Sequence, residues 1–363
     1  LGRKYNLKRF EFSQSYFMFW DKIEKANYFL ENIIRTSVEP WNSRLIMYLL
    51  ENPIQDGGQW DMFVNLIRKY GVVPQTEMPE SFQSSKSMRM NRMITRKLRE
   101  FAKTLREAYN EGKNLTVLHR MKKEMLAVIY QMLVIHLGTP PVRFDWQVRG
   151  KDKKFHRFEN LTPKRFFSDH VGLNLDDFSC LINCPMSDKT YNEVYTVEYL
   201  GNVVGGDIIR YLNLPSSRLK ECAVQSIRDD DPVWFGCDVG KYFHRDLGVM
   251  DMDLFDFELF YGTSFPMNKA DRLEYGDSQM THAMLFTGVD LDKGGKPRKW
   301  RVENSWGNKR GDKGYDIMTD KWFDEYNYEI VVHKKYLFEK ELEIYQREPV
   351  KLSPWDPMGS LAR

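Results

Sequence analysis

The chain has 363 residues, enough for one large domain or two to three fused ones, with 42% hydrophobic and 29% charged residues, the ordinary balance of a globular protein. Its aromatic share of 14% allows a sizeable core. A net charge of +3 is too small to imply nucleic-acid binding from bulk electrostatics.

In chain order, apolar side chains at Tyr16, Trp20, Ile23, Phe29, Leu30, Ile33 and Ile34 recur near the period of one helix face and predict a helix over residues 13–34. Residues 52–58, with Pro53 and the Gly57-Gly58 pair as breakers, read as a turn. A helix over residues 60–70 follows, stopped by Gly71, and Val72-Val73-Pro74 reads as extended. Residues 84–136 read as long, polar and helical, ended by Pro140-Pro141. The longest apolar stretch, residues 126–137, is interrupted by Gln131 and falls short of the about 20 residues of a membrane span. It reads as a buried helix, and no membrane partner is expected. Residues 142–225 mix short strands and helices. From Pro232 the chain turns to β-type segments at 233–237, 283–289, 299–303 and 328–332, with Gly294-Gly295-Lys296-Pro297 as a loop. Helices in the first half and an antiparallel sheet in the last third make an α+β layout, two unlike lobes with a natural cleft between them.

Four cysteines, Cys180, Cys184, Cys222 and Cys237, are too few for a disulfide scaffold and favour a reducing compartment, so a cytoplasmic location is expected. Cys180 and Cys184 have no second Cys or His pair at zinc spacing, so neither a metal nor another cofactor is expected. The sequence opens on Leu1-Gly2-Arg3-Lys4 without Met, which leads us to expect that its original start is missing.

His282 and Asn304 stand 22 residues apart in two of the strand-like segments, and Asn304 is followed by Ser305-Trp306-Gly307. Taken alone, the His reads as a core histidine bonded to backbone and the Asn as a strand-edge turn residue. Taken together they fit two members of a Cys-His-Asn site. An imidazole takes the proton of a thiol and stabilises the thiolate. An Asn carbonyl accepts from the imidazole N–H and holds the ring without adding charge. Trp306 would cover that bond from water, strengthening it in low dielectric. The third member, a Cys followed by Trp or Tyr, is nowhere in the sequence: the four cysteines precede Leu181, Pro185, Ala223 and Asp238. Cys237 is expected to be a buried structural thiol of a core strand.

At these residues the chain resembles the papain-like cysteine proteases, through Phe12-Ser13-Gln14-Ser15, Asp56-Gly57-Gly58, Thr281-His282-Ala283 and Glu303-Asn304-Ser305-Trp306-Gly307 with Gly314-Tyr315. It is more closely similar to the bleomycin hydrolase family. The specific matches are residues 56–62, Tyr195-Thr196-Val197-Glu198-Tyr199-Leu200, residues 233–241, Met280-Thr281-His282-Ala283-Met284, residues 300–307 and Trp355-Asp356-Pro357-Met358-Gly359 with Leu361-Ala362.

The resemblance implies a papain-like two-lobed cysteine peptidase fold with a large helical and hook-like insertion. The implied domains are a helical lobe at 1–79, incomplete at its N-terminus, the insertion at 80–225, a β lobe with His282 and Asn304 at 226–345, and a tail at 346–363 that reaches the active-site cleft. It implies a cysteine aminopeptidase that hydrolyses peptide and amide bonds from the N-terminus. The nucleophile would lie about 10–20 residues before Leu1, at a helix N-terminus whose dipole favours the thiolate. The alternative is a catalytically inactive truncated isoform or scaffold. Gly57 and Gly58 would pair with the substrate backbone, the other reading being a plain turn. Ala362 and Arg363 would bring the terminal carboxylate to the substrate's free amino group. Arg363 departs from an expected end near the Ala, so either it is trimmed or the carboxylate sits one position further in. A disordered tail, suited to Pro354, Pro357 and Gly359, is the alternative. The family also implies a homohexamer. The basic residues Arg89, Arg92, Arg96, Lys97, Arg99, Lys103 and Arg106 read as a solvated face or an oligomer contact, with weak nucleic-acid binding as the other possibility.

Overall fold

The computed structural model describes residues 1–362. They form two compact units: Leu1–Asn174 with Tyr199–Ile208 and Ala362, and Leu175–Glu198 with Ile209–Leu361.

The first unit is built on helices α1 (Gln14–Arg35), α2 (Arg44–Glu51), α3 (Trp60–Tyr70), α4 (Phe82–Ser85), α5 (Met88–Asn110) and α6 (Leu115–Leu137), followed by an antiparallel hairpin of β1 (Phe144–Arg149) and β2 (Phe155–Leu161) and by α7 (Pro163–Phe166). Helix α1 starts where expected because Ser13 caps it, its hydroxyl accepting the Tyr16 N–H at 3.0 Å. It buries Tyr16, Phe19, Phe29, Leu30, Ile33 and Ile34, while Trp20 and Ile23 of the expected face are less deeply covered or lie beside it. Gly71 ends α3 in the left-handed region at φ +74°, and a Cβ there would overlap the Pro163 backbone, so the glycine both stops the helix and admits α7.

Two expectations change here. The helical run over 84–136 is divided: α5 ends at Asn110, Gly112 turns the chain at φ +80°, and Asn114 caps α6 by accepting the Val117 N–H at 3.1 Å. The apolar stretch 126–137 is not a buried helix but the end of an amphipathic one. Ile129, Leu133 and Leu137 are buried at helical spacing, while Val128, Tyr130 and Ile135 are exposed. Both long helices pack on α1 and on each other.

The second unit is built on one mixed sheet. Its strands are β3 (Phe178–Ile182), β4 (Glu193–Val197), β5 (Tyr211–Asn213), β6 (Val233–Cys237), β7 (Phe243–His244), β8 (Val249–Met250), β9 (His282–Leu291), β10 (Pro297–Glu303), β11 (Tyr315–Thr319), β12 (Asn327–His333) and β13 (Val350–Leu352). Their order is β13-β4-β5-β3-β12-β6-β9-β10-β11-β8-β7. The run from β3 to β11 is antiparallel. The expected last-third antiparallel sheet is thus larger and mixed: strands from residues 178–213 join it, and β13–β4, β3–β5 and β11–β8 are parallel. The core on this sheet stacks Phe235 on Phe286 at 3.8 Å between ring centroids, with Trp300 and Phe323 beyond. Helices α8 (Ser216–Arg228), α9 (Phe257–Tyr261), α10 (Lys269–Glu274), α11 (Asp320–Tyr326) and α12 (Glu339–Tyr345) complete the unit, α8 covering the sheet through Leu219, Cys222 and Ala223.

Candidate active site

The β9–β10 register decides where the two chemistry-bearing residues meet. Glu303 pairs with Leu285, so His282, the first residue of β9, and Asn304, the first residue past β10, arrive at the same end of the hairpin. At the other end Pro297 is not in the loop as expected but pairs with Leu291. The turn is tightened by Asp292, whose carboxylate accepts the N–H groups of Gly294 at 2.8 Å and Lys296 at 2.9 Å.

His282 Nε2 lies 3.0 Å from Asn304 Oδ1. The same oxygen accepts the Ser305 N–H at 2.8 Å, and Asn304 Nδ2 donates to Asp316 Oδ2 at 3.1 Å. The Trp306 ring lies over the imidazole, with centroids 4.7 Å apart and planes tilted by 31°, and the Arg245 guanidinium sits 5.4 Å from the indole centroid. Burial lowers the His282 pKa from its ordinary value, and the Asn304 hydrogen bond and the Asp316 charge oppose that shift.

The segment entering β9 is fixed as well. Asp238, just past β6, is buried and accepts the Ser278 hydroxyl at 2.9 Å and the Thr281 hydroxyl at 3.2 Å. Ser278 Oγ is also 2.6 Å from the Tyr328 hydroxyl, and the Thr281 N–H donates to the Cys237 carbonyl at 2.8 Å. These contacts leave the His282 backbone little freedom. Sequence reasoning missed Asp316, a carboxylate beside apolar strand residues with no motif of its own, and gave Asp238 no role although it lies within the 233–241 match.

Cys237 stands opposite His282 in the β6–β9 ladder, yet its thiol is no acid. Burial pushes it well above the usual thiol range. Burial likewise raises Cys184 and Cys222 to about 12, and all four cysteines are buried and outside any disulfide.

The model of the Peptidase C1-like family matches residues 1–359. The chain belongs to that family. It is 50% identical over 356 residues to the Aminopeptidase C of Listeria monocytogenes, covering 98% of this chain and 80% of that one. It is 47% identical over 368 residues to the Bleomycin hydrolase of Gallus gallus, covering 99% and 81%. The crystal structure of PepW from Lactobacillus rhamnosis superposes with a TM-score of 0.97 at 47% identity, over 99% of this chain and 81% of that one. The fold is therefore the papain-like α+β fold, and the family places the chain among cysteine-type aminopeptidases, which are hydrolases.

Three further features of this Peptidase C1-like chain bear on the site residues. In the first unit the turn carrying Gly57 and Gly58 is tethered from beneath. Lys25 Nζ donates to the carbonyls of Gln55 at 2.9 Å and Gly57 at 2.6 Å, and Lys22 Nζ reaches the Gln55 carbonyl and pairs with Asp56 at 2.6 Å. Burial lowers Lys22 to about 8, while Lys22 itself, with Ser87 and Asn91, outweighs the effect of burial on Asp56 and holds that carboxyl down at about 2. A Cβ on Gly58 would meet nothing within 4 Å, and its φ is not left-handed, so nothing within the chain requires a glycine there.

The second unit ends on a folded segment. Asp356 pairs with buried Lys189 at 3.1 Å, and Pro357–Ala362 is 3₁₀ helix in which Met358, Ser360 and Leu361 are buried. The Leu361 side chain lies against β6, where a Cβ on Gly236 would stand 3.2 Å from it and 3.0 Å from the Met280 sulfur. Gly236 pairs with Ala283, one step from His282. Arg363, named with Ala362 as a substrate contact, lies outside the described residues.

The basic helix keeps Arg89, Arg92, Arg96, Arg99 and Lys103 exposed, while some of its cations also bond within the unit. Arg99 donates to the carbonyls of Leu50 and Glu51 at the end of α2, both at 2.8 Å, and Arg106 to those of Thr36 and Glu39. Lys97 and Lys103 pair along α5 with Glu100 and Glu107.

Proposed function

We propose that the chain is the His/Asn-bearing part of a bleomycin-hydrolase-like cysteine aminopeptidase that cleaves peptide and amide bonds from a free amino end. The observation that carries this reading is the 3.0 Å contact of His282 Nε2 with Asn304 Oδ1 beneath the Trp306 ring. With the Nε2 proton held by Asn304, the Nδ1 atom is free to take a thiol proton. The thiolate attacks the carbonyl carbon, and His282 returns the proton to the leaving amine. It then deprotonates the water that hydrolyses the thioester. The nucleophile in this proposal is none of the four buried thiols of the sequence but a Cys preceding Leu1. Gly57 and Gly58 take the substrate backbone, a role supported by the open space over Gly58. The tail's docking beside β6 supports a carboxylate at Ala362 or Arg363 as the anchor for the substrate's amino group.

The test uses an aminoacyl fluorogenic amide with two proteins: the 363-residue chain and a form extended upstream by a Cys-bearing segment. Thiol-sensitive turnover is expected from the extended form alone, and its loss in His282→Ala. Thiol-sensitive turnover by the shorter chain would overturn the assignment of the nucleophile. If neither form turns over, the inactive-scaffold reading stands, which the four buried thiols favour.

The same reading includes a homohexamer in a reducing compartment, which fits four cysteines outside any disulfide and the exposed Leu259, Phe260, Tyr261 and Phe265. Sedimentation at about six chain masses is the expected result. Nucleic-acid binding through α5 is disfavoured by the carboxylates of Glu100 and Glu107, which pair with Arg96, Lys97 and Lys103 along the helix. Binding that weakens steeply with salt and is lost on reversing Arg92 and Arg96 would restore it.

A further inference from the structure

The geometry points to Asp316 as a positioning residue for this reaction: its carboxylate fixes the Asn304 amide with the carbonyl oxygen turned toward His282. The inference rests on the proposed roles of His282 and Asn304.

An amide side chain is nearly symmetric in shape, so only its hydrogen-bond partners decide which end faces which way. On one side of Asn304 stand a fixed donor, the Ser305 N–H at 2.8 Å, and His282 Nε2 at 3.0 Å, whose role follows from its tautomer. On the other stands Asp316 Oδ2 at 3.1 Å, and an ionised carboxylate can only accept. The Asn304 NH2 group must therefore face Asp316, and the carbonyl oxygen must face the imidazole. That in turn places the ring proton on Nε2 and leaves Nδ1 to handle the thiol proton. With an apolar residue at position 316 the amide would lose the partner that keeps its NH2 group away from the ring.

The carboxylate's surroundings are shaped for it. Asp316 is 4% exposed, although its strand neighbour Ile317 is 48% exposed. Room for the carboxylate is made by two left-handed glycines, Gly248 at φ +67° and Gly311 at φ +54°. A Cβ at Gly248 would stand 2.6 Å from Asp316 Oδ1, and one at Gly311 would stand 2.8 Å from it. The Gly248 carbonyl accepts the Ile317 N–H at 2.7 Å, so strand pairing holds this glycine beside the carboxylate. Burying a carboxylate is unfavourable unless it is hydrogen-bonded, and an apolar side chain would suit this strand position better if packing were its only task. Burial raises the Asp316 pKa, and the Asn304 hydrogen bond and the His282 charge oppose that rise.

The test reads the His282 ring directly in the 363-residue chain, by nitrogen NMR of histidine-labelled protein with the resonance assigned by its loss in His282→Gln. Asp316 is replaced by Leu and by Asn. The other ionisable groups around the ring, namely Arg245 over Trp306, Asp238 below Thr281 and Cys237 across the ladder, are the same in all forms. The parent is expected to hold one tautomer with the proton on Nε2. Asp316→Leu should mix the tautomers. Asp316→Asn keeps an acceptor oxygen and should keep the tautomer, but without the charge its His282 titration should move to lower pH. In the Cys-bearing enzyme Asp316→Leu should lower kcat about tenfold with KM little changed, as for one lost hydrogen bond. An unchanged tautomer and titration in both variants would overturn the inference. If the Leu form does not fold, the Asn titration alone decides. Because the ring is read without turnover, a failed triad assignment and a failed Asp316 assignment give different results.

Discussion

Replacing Lys25 by Met tests whether the Gly57-Gly58 turn is held from inside its unit. Lys25 is 7% exposed, and its ammonium serves the Gln55 carbonyl at 2.9 Å, the Gly57 carbonyl at 2.6 Å and Asp21 at 2.7 Å. Methionine fills nearly the same volume but donates nothing. Gln55 keeps Lys22 as a donor, so its loss is small, whereas Gly57 loses the donor its carbonyl has here. Hydrogen bonds from a charged donor contribute about 1.5–3 kcal/mol, and a carbonyl left without its partner costs about 1–3 kcal/mol. A net loss of about 2–4 kcal/mol follows, which for a unit of this size is a fall in Tm of about 4–16 °C. Differential scanning fluorimetry on parent and variant gives the first number. In the Cys-bearing enzyme, the proposed role of Gly57 and Gly58 in holding the substrate backbone leads to a raised KM with kcat less affected on substrate titration. A variant that melts within a degree or so of the parent and keeps its KM would refute the view that this buried lysine holds the turn.

Two further outcomes follow from buried features of the second unit. Burial lowers Lys269 from 10.5 to about 7, with its ammonium on Asn183 Oδ1 and the Asn327 carbonyl. The unfolded chain therefore binds one more proton than the folded chain between those values, so stability rises as pH goes up through that window. Urea midpoints measured from pH 7 to 10 should climb less in Lys269→Met than in the parent, and parallel curves would contradict this. Gly236→Val puts atoms within 3.0 Å of the Met280 sulfur and 3.2 Å of Leu361. It should cost about 1–3 kcal/mol by overpacking and speed limited proteolysis at residues 355–361. Unaltered cleavage would mean that the tail does not depend on this contact.

How much was legible in the sequence depended on whether a feature was local. The Gly71 stop and the start of α1 rest on signals that act over a few residues, and both fall where the sequence suggested. Gly112 and Asn114 were equally local signals for dividing α5 from α6, but the continuous polar periodicity around them hid the break. The eight-residue α2 was too short for periodicity to reveal, and its Ser43 cap was the available cue. The pairing of β3 with β12 and of β4 with β13, each more than 100 residues later, leaves no mark in any window of sequence. Asp316 was hidden for a different reason. Alternation along Tyr315-Asp316-Ile317 suggests that the charged residue faces out and the isoleucine in, and the fold reverses this to place a carboxylate beside Asn304.

The four buried thiols have a practical meaning for chemical probing. A thiol reagent attacks the thiolate, and burial holds Cys184, Cys222 and Cys237 in the protonated form with no surface for a reagent to approach. The folded chain is in that sense a dark background: rapid alkylation or disulfide exchange in the native state would come from a thiol supplied beyond these four, and its stoichiometry would count working sites directly.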